Sequence, residues 1–399
     1  MKKSYLMIAA VALFTACSDT DTFKEAVSDN TQQPLSFSAY AGKNTKAKGD
    51  NSAYLQDFYD SFSVFGFKTI TRTELNDQNV EEDVDKNEPV FYDVPVEYFD
   101  EDKAGDPVYK NSKPSTEWVK QNETFSAGWY YESVRFWDKM AKGYEFFAVA
   151  PYVESGEYSV AAGDENVKIK TSASPYDIST EKNLAIVNNV PKSKNLSYYG
   201  FDRDYMVAGK ITRPINNVLT GLVELEFKHV LAKLNIKIKL GDEYIGKQEL
   251  TVNELKINGL AQKGYYEGAS DLTGWTITND RYYRDIKENL SLTDKTTNYS
   301  EYYWLETLMF PQTATCKKVG AQPTATDLSD MYLYVNYHIG EENFEVYYDF
   351  ASIWMSTATV NGTFAFAQGN EYNLTITLGP EPIKFDASVV VWAPVNKEL

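Results

Sequence analysis

The sequence has very little cysteine and histidine. Among its 399 residues there are 2 of each, namely Cys17, Cys316, His229 and His338. They lie far apart along the chain, and no HxxxH or CxxC spacing occurs. Transition-metal sites draw most of their ligands from these two residue types, so no metal site is expected.

Short enzyme motifs are absent as well. The chain contains no GxSxG motif, no P-loop and no dinucleotide-binding fingerprint. A glycosidase needs only two carboxylates, but no pair stands out among the 57 Asp and Glu residues. We therefore assign no catalytic residue and no cofactor, and we expect a protein that is not an enzyme. His229 is interpreted as a structural histidine.

Basic residues are outnumbered by acids, and the formal net charge is −18 at pH 7. This charge argues against a nucleic-acid partner. Residues 74–106 are acidic and are predicted to be irregular. A DxDxN motif at residues 83–87 resembles the start of a calcium-binding loop, but Glu88 and Pro89 replace the glycine turn of such a loop. We interpret this stretch as a solvated loop.

Residues 1–16 have the pattern of a secretory signal peptide. Two lysines precede an apolar run at residues 5–14, which is shorter than the roughly 20 residues of a transmembrane helix. Two small residues then lead to Cys17, as in a bacterial lipobox. We predict that Cys17 is acylated. An ordinary signal peptide, cut after the AVA stretch at residues 10–12, is the alternative.

Residues 17–34 are polar and are predicted to form a flexible tether. Asp19 and Asp21 follow Cys17 closely, which is similar to the acidic signal that directs lipoproteins of Bacteroidota to the outer face of the outer membrane. A solvated linker is the alternative. Acylation of Cys17 would leave Cys316 without a partner, so no intrachain disulfide is expected.

Aromatic residues are abundant, with 30 Tyr and 21 Phe, and long amphipathic helical patterns are rare. Short alternating runs between turn residues predict an all-β fold. The length suggests two domains, which we place at residues 35–213 and 214–399. The clearest predicted strands cover residues 35–41, 61–67, 129–131, 134–137, 144–151, 222–240, 250–260, 304–311, 332–339, 344–350, 371–378 and 385–392.

The longest strand pattern, at residues 222–240, changes face. Apolar residues occupy odd positions as far as Phe227 and even positions from Val230 onward. A shift of one residue exchanges the inner and outer faces of a strand. A bulge or bend is therefore predicted near His229.

Several motifs together resemble those of the fimbrillin family, the pilin subunits of type V fimbriae in Bacteroidota. They are the lipobox, the first strand at residues 35–39, the basic site at 45–47, and the stretches at 147–151, 204–208, 223–234, 309–312, 369–374 and 389–392. The resemblance implies two tandem transthyretin-like (Greek-key) β-sandwich domains. It also implies donor-strand exchange, in which a strand of one subunit completes the sheet of another.

In this family a trypsin-like protease cuts behind the first strand. The resemblance places the cut between Lys46 and Ala47, with Lys43, Lys48 and Arg72 as alternatives, and a lysine loop that is never cut is also considered. Loss of the first strand would open a sheet edge for β-strand addition. The donor-strand candidates, in the two strands at residues 371–378 and 385–392, are Tyr372, Leu374, Ile376, Leu378, Val389 and Val391.

The predicted function is that of a structural subunit of a cell-surface fimbria, either a stalk pilin or an accessory or tip pilin. It would be exported as an outer membrane lipoprotein precursor. Its expected partners are other fimbrial subunits in a head-to-tail polymer, a trypsin-like surface protease and the outer membrane, with a host protein or glycan as a further candidate.

The alternative is a surface glycan-binding lipoprotein or a tip adhesin. In that case exposed tryptophans would stack on sugar rings. The tryptophans considered for this role are Trp118, Trp129, Trp275 and Trp304.

Overall fold

A computed structural model gives the fold. It describes residues 35–41, 61–99, 128–131, 135–154, 156–161, 163–172, 174–177, 197–200, 203–214, 222–242, 250–261, 263–268, 274–277, 281–292, 303–317, 331–356, 361–379 and 383–391. These residues are almost entirely β-structure, which confirms the predicted all-β class. The transthyretin-like tandem arrangement stays a prediction. In the described part of the chain, no helix is long and apolar enough to cross a membrane.

The largest sheet has seven strands, in the order β1-β11-β10-β5-β2-β3-β4. Their bounds are β1 Phe37–Ala41, β2 Ser61–Leu75, β3 Glu81–Phe99, β4 Gly128–Tyr130, β5 Gly143–Ala150, β10 Met206–Pro214 and β11 Val223–His229. β1 lies at one edge and is parallel to β11. The other pairs in this sheet are antiparallel.

This sheet is curled so that its two edges approach each other. In a flat sheet, β1 and β3 would lie about 24 Å apart, since adjacent strands are spaced by about 4.8 Å. The ring centroids of Phe37 in β1 and Phe91 in β3 are only 5.3 Å apart. The Leu35 N–H also donates to the Arg135 carbonyl oxygen at 2.8 Å. The inner face of the curl therefore encloses a hydrophobic core.

A four-stranded sheet, in the order β15-β14-β7-β6, packs against the outer face of the seven-stranded sheet through a second core. Its strands are β6 Tyr158–Ser159, β7 Lys168–Ser172, β14 Lys263–Tyr266 and β15 Trp275–Ile277. A separate two-stranded sheet consists of β8 Ser174–Asp177 and β9 Ser197–Gly200. Because β5 is covered on both faces, its residues 146–150 form a continuous apolar run and do not alternate with polar residues.

The remaining strands form a second sandwich. Its sheets have the orders β17-β12-β22-β23 and β16-β13-β19-β20, with a third core between them. The bounds are β12 Ala232–Leu240, β13 Leu250–Ala261, β16 Arg281–Leu292, β17 Tyr303–Met309, β19 Tyr332–Ile339, β20 Glu342–Asp349, β22 Asn370–Leu378 and β23 Lys384–Val391. A two-stranded sheet (β18 Gln312–Cys316, β21 Gly362–Phe366) and the short helix α1 (Phe350–Trp354) complete it.

The predicted bend near His229 is confirmed. β11 ends at His229 and β12 begins at Ala232, and the two strands belong to different sheets. Each run of alternating residues therefore points into its own core. Pairing places β11 in the first sheet although it follows residue 214, and the domain division at residues 213 and 214 stays a prediction.

The expectation of irregular structure at residues 74–106 was wrong for β3. Its residues pair with β2 from Glu81 to Glu97. Cross-strand hydrogen bonds from threonine hydroxyls compensate for the acidic sequence: Thr71 donates to Asp85 at 3.0 Å and Thr73 donates to Asp83 at 2.8 Å. The DxDxN residues thus lie along a strand, and the part of the chain that is described contains no cluster of metal-binding side chains.

Candidate assembly site

β1 and Leu35, two residues before it, supply three side chains to the core inside the curled sheet. Leu35, Phe37 and Ala39 are 2%, 3% and 3% exposed, and they alternate with half-buried serines. The Phe37 ring makes edge-to-face contacts with Phe91 at 5.3 Å, Tyr131 at 5.8 Å and Phe146 at 5.9 Å. The apolar residues of this segment therefore lie on the face that fills the core.

The pocket for Phe37 depends on the glycine beneath it. A Cβ atom at Gly66 would lie 2.9 Å from the Phe91 ring and 3.0 Å from the Phe146 ring. These distances are too short for van der Waals contact, so a side chain at this position would displace the two rings. Gly66 in β2 thus lets the rings lie close to the sheet, where they receive Phe37.

The backbone of β1 is bonded mainly along one edge. It pairs with β11 from Phe37 opposite Val223 to Ala41 opposite Phe227, and Val223 N–H donates to the Ser36 carbonyl at 2.8 Å. In the described residues, strand pairing from Phe37 onward is with β11 alone. β1 is therefore an edge strand whose loss would expose the β11 backbone.

A second set of contacts clamps the start of β1. The Leu35 N–H bonds the Arg135 carbonyl, and the Tyr131 hydroxyl donates to the Leu35 carbonyl at 2.7 Å. The Arg135 guanidinium lies over the Phe91 ring, 4.4 Å from its centroid. Burial raises the pKa of Tyr131, so its hydroxyl stays protonated and able to donate. Sequence reasoning missed these contacts because only the curl of the sheet brings Tyr131 and Arg135 next to Leu35.

The predicted modification sites fall mostly outside the described residues. Cys17, Lys46 and Ala47 lie there, as do Lys43 and Lys48, so their placement stays a prediction. Arg72 is described: it lies within β2 opposite Val84 and is ion-paired with Glu88. Proteases cut exposed loops in preference to paired strands, so Arg72 is the weakest of the alternative cleavage points.

The first donor-strand candidate, β22, lies inside its sheet between β12 and β23. Its candidate residues fill the core of the second sandwich and are at most 1% exposed: Tyr372, Leu374, Ile376 and Leu378. The Tyr372 hydroxyl also accepts a hydrogen bond from the Ala367 N–H at 2.6 Å. Release of β22 would open this core.

The second candidate, β23, lies at the edge of the same sheet and pairs only with β22 among the described strands. Val389 is 45% exposed and Val391 is 78% exposed. Toward the start of the strand, Phe385 packs on Tyr348 with 4.7 Å between ring centroids. Thus β23 covers its apolar side chains only in its first half, and Trp392 lies outside the described residues.

β23 begins at the end of the second sandwich that lies away from the seven-stranded sheet. The Gly369 N–H donates to the Leu231 carbonyl at the junction between the sheets, whereas the Gly241 N–H donates to the Leu378 carbonyl at the opposite end. β23 runs back from that opposite end, with Lys384 opposite Thr377 and Val391 opposite Asn370. A released β23 would remain attached at the outer end.

His229 is buried beside a carboxylate, in agreement with its interpretation as a structural histidine. Its side chain is 5% exposed, and its Nδ1 lies 2.7 Å from Oδ2 of Asp204. Sequence reasoning did not single out Asp204, which precedes β10 and meets His229 where β11 ends. The pair stabilises the junction between β11 and β12.

The glycan-platform interpretation of Trp275 was wrong. Trp275 is 5% exposed, packs on Phe310 with 5.0 Å between ring centroids, and donates its Nε1–H to the Val230 carbonyl. Trp129 is half-buried and packs on Phe62 at 4.8 Å. A ring buried as deeply as that of Trp275 cannot stack on a sugar. Trp118 and the Trp304 side chain lie outside what the structure describes.

These observations define an all-β protein with an edge-docked first strand and a loosely covered strand at another edge. A sequence model described as "Fimbrillin-like" matches residues 97–392, about three quarters of the chain. The chain belongs to the fimbrillin-like family, a family of fimbrial and cell-adhesion subunits. Membership in it implies a cell-surface fimbria as the location and other fimbrial subunits as partners. Among curated proteins, none matches the chain.

Solved structures of fimbrial proteins are similar to the chain over most of its length. A fimbrial protein from Bacteroides vulgatus has 14% identity and a TM-score of 0.46, covering 90% of this chain and 99% of that one. The tip fimbrial protein Mfa3 from Porphyromonas gingivalis, with a C-terminal truncation, has 12% identity, a TM-score of 0.38 and coverages of 85% and 96%. A fimbrial assembly protein from Parabacteroides distasonis has 9% identity, a TM-score of 0.33 and coverages of 91% and 100%.

Proposed function

We propose that the chain is a structural subunit of a surface fimbria, as a stalk pilin or as an accessory or tip pilin, exported as a lipoprotein precursor. Acylated Cys17 delivers it to the outer membrane. A trypsin-like protease then cuts after Lys46 and releases β1 together with the lipid. The observation that supports this best is the position of β1: its buried side chains lie on a strand that is paired along one edge.

The energetics of β1 favour exchange after a cut. Burial of Leu35, Phe37 and Ala39 contributes roughly 4 to 7 kcal/mol. Fixing the backbone of residues 35–41 in one conformation opposes this gain. In the precursor the strand is covalently attached, which gives it a high effective concentration at its own groove. A cut between β1 and β2 removes that advantage, and β1 becomes a peptide that a competitor can displace.

Loss of β1 would create an acceptor for another subunit. The open edge of β11 and the emptied pocket beside Phe91 and Phe146 would both need a partner, since unpaired edges template strand addition. A donor from one subunit and an acceptor on the next make a heterologous, non-closing contact. Repetition of that contact gives a fibre.

The test is cleavage of the purified precursor with trypsin, followed by N-terminal sequencing and electron microscopy. We expect a new N-terminus at Ala47 and fibres that grow with time. The triple variant Lys43→Ala, Lys46→Ala and Lys48→Ala should stay monomeric. Arg72→Ala, in the paired hairpin, is the matched control and should be cut and assemble as the parent does. Fibres of the triple variant that retain residues 17–46 would refute the proposal.

A further inference from the structure

We infer that two copies of this chain pair side by side through a two-fold contact, in which the β2–β3 hairpin of each copy lies on the small sheet β15-β14-β7-β6 of the other. The small sheet contributes a basic face around an exposed tyrosine, and the hairpin contributes an acidic face with an exposed leucine. The inference goes beyond the proposed function, because neither the first strand nor the donor-strand candidates take part in the contact.

The outward face of the small sheet carries positive charge around one exposed ring. Tyr265 in β14 is 40% exposed, and its side chain makes no hydrogen bond or ring contact with a described residue. Lys170 lies directly opposite it on β7, and Thr276 lies opposite it on β15. Lys263, two residues earlier on the same strand, shares this face. These four exposed residues form what we call the sheet patch.

The acids nearest to the sheet patch along its strands bond to another lysine. Asp164 and Glu267 are both ion-paired with Lys168, at 3.6 Å and 3.8 Å. In the described part of the chain, no carboxylate forms an ion pair with Lys170. The sheet patch is therefore a local positive surface on a chain whose net charge is −18, and its complement is an acidic partner.

One face of the β2–β3 hairpin has the complementary charge. The strand register places Leu75 opposite Glu81 on this face, and Leu75 is 64% exposed. Lys142 is ion-paired with Asp85 at 2.6 Å, which leaves the two acids nearer the tip uncompensated by it. We call this surface the outer hairpin face. It consists of Thr71, Thr73, Leu75, Glu81, Asp83 and Asp85.

The opposite face of the hairpin neutralises its own charge. Lys86 is ion-paired with Glu74 at 2.9 Å, and Lys68 lies 3.7 Å from Glu88. Arg72 is also paired with Glu88. A basic partner is therefore attracted to the outer hairpin face and not to the opposite one.

The sheet patch and the outer hairpin face adjoin on the same side of the molecule. The alternate positions of β2 that supply the outer hairpin face begin with Phe65 and Phe67, which share the second core with Tyr266 of the small sheet. A Cβ atom at Gly163, in the loop between β6 and β7, would lie 4.0 Å from Nδ2 of Asn87 in the hairpin. The small sheet thus ends beside the base of the hairpin.

A surface with adjoining basic and acidic halves is complementary to itself. When a second copy is related to the first by a two-fold axis, each half faces the opposite half of the other copy. Leu75 of one copy then lies on the Tyr265 ring of the other, and Glu81 lies beside Lys170. Burial of the two apolar side chains favours association, whereas the charges fix the orientation.

The contact is small and sensitive to salt. Two hairpin tips on two patches bury less than the roughly 1,600 Å² of a standard stable interface, so the dimer is weak in solution. The Debye length falls from about 10 Å at 0.1 M salt to about 3 Å at 1 M. The dimer should therefore dissociate more readily at 1 M salt than at 0.1 M.

Zero-length crosslinking tests which residues meet. The purified precursor with Cys17→Ser, as an equal mixture of isotopically heavy and light copies, is treated with a carbodiimide, which joins a carboxylate to an ammonium in direct contact. We expect peptides that join Glu81 or Asp83 to Lys170 or Lys263, half of them with one heavy and one light member. Absence of these pairs, or pairs formed only within single copies, would overturn the inference.

Charge reversal with rescue tests the two-fold arrangement. One variant carries Lys170→Glu and Lys263→Glu, and the other carries Glu81→Lys and Asp83→Lys. Each variant alone should dimerise about tenfold or more weakly than the parent in sedimentation velocity at 0.1 M salt, since attraction becomes repulsion. An equal mixture should regain the parent dissociation constant within about threefold, because every contact is again between opposite charges. A mixture that stays monomeric would overturn the inference.

The matched control is the pair Lys317→Glu and Lys384→Glu, which makes the same change in net charge at exposed positions of the second sandwich. It should dimerise as the parent does, and all variants should keep the urea midpoint of the parent. Equal weakening by the control would show an effect of net charge alone and would overturn the inference. So would a parent that stays monomeric but binds acidic glycans on an array through Lys170 and Lys263. None of these outcomes affects the proposed function, since cutting by trypsin and growth of fibres are measured separately.

Discussion

Phe37 is a buried side chain of β1, and its ring contacts three other aromatic rings. Replacement of Phe37 by Ala should destabilise the seven-stranded sheet of the precursor by about 3 to 5 kcal/mol, since it empties a pocket that the curled sheet cannot readily collapse. Ser38→Ala, on the half-buried outer face, should change stability by less than about 0.5 kcal/mol. Urea unfolding of the two full-length precursors measures the difference, and equal midpoints would contradict the packing described for Phe37.

Gly66 gives a second prediction about the same pocket. Gly66→Ala should push the Phe91 and Phe146 rings toward Phe37, because its Cβ would lie 2.9 Å and 3.0 Å from them. We expect a loss of about 1 to 3 kcal/mol, typical of overpacking. Gly209→Ala is the control, since no atom lies within 4 Å of its Cβ position. Unaltered stability of Gly66→Ala would show that the rings have room to move.

Buried tyrosines predict a loss of stability at high pH. Burial raises the pKa of Tyr131, Tyr144 and Tyr158. Above about pH 10 these hydroxyls therefore stay protonated in the folded chain but ionise in the unfolded chain. Their contribution to the free energy of unfolding is complete below that pH and is lost as the pH rises further. The urea midpoint should therefore fall as the pH rises above about 10. Tyr158→Phe should reduce that fall, and a fall of the same size in this variant would contradict the assignment.

Among the strands, the hairpin of β2 and β3 extends beyond its neighbour. β5 pairs with β2 only as far as Thr69, and the side chains beyond it are mostly exposed and bond to one another across the hairpin. Replacing residues 72–84 by Asn-Gly, which forms a tight hairpin turn, should change the free energy of unfolding by less than about 1 kcal/mol. A larger loss would show that the hairpin supports the core, and urea unfolding distinguishes the two outcomes.

The strands also show how far local patterns predict this fold. The pattern at residues 35–41 predicted the strand β1, and the change of face near His229 predicted the end of β11. Local patterns could not predict the curl of the first sheet. Phe37 and Phe91 lie on β1 and β3, which are separated by four strands in the sheet order, and only the curl brings them together. Local patterns also missed β3, whose acidic residues are compensated by threonines of β2 that lie 10 to 14 positions away.

The same limit applies to the donor-strand candidates. Alternating apolar residues made β22 and β23 look equivalent, since both have a strand-like apolar face. Sheet order separates them: β22 lies inside its sheet with its face at most 1% exposed, whereas β23 lies at the edge with Val391 78% exposed. Position in a sheet depends on the strands that pair with it, and the sequence of a single strand does not contain that information.

For the chain in its fibre, we expect β1 to be present during export and absent after assembly. Acylation of Cys17 then serves delivery, and the lipid leaves with the first strand. The measurement is the N-terminal residue of subunits in fibres sheared from intact cells, determined by mass spectrometry of terminal peptides. We expect Ala47, or the residue after Lys43 or Lys48, with residues 35–41 absent. Fibre subunits that begin at acylated Cys17 and still contain Phe37 would contradict it.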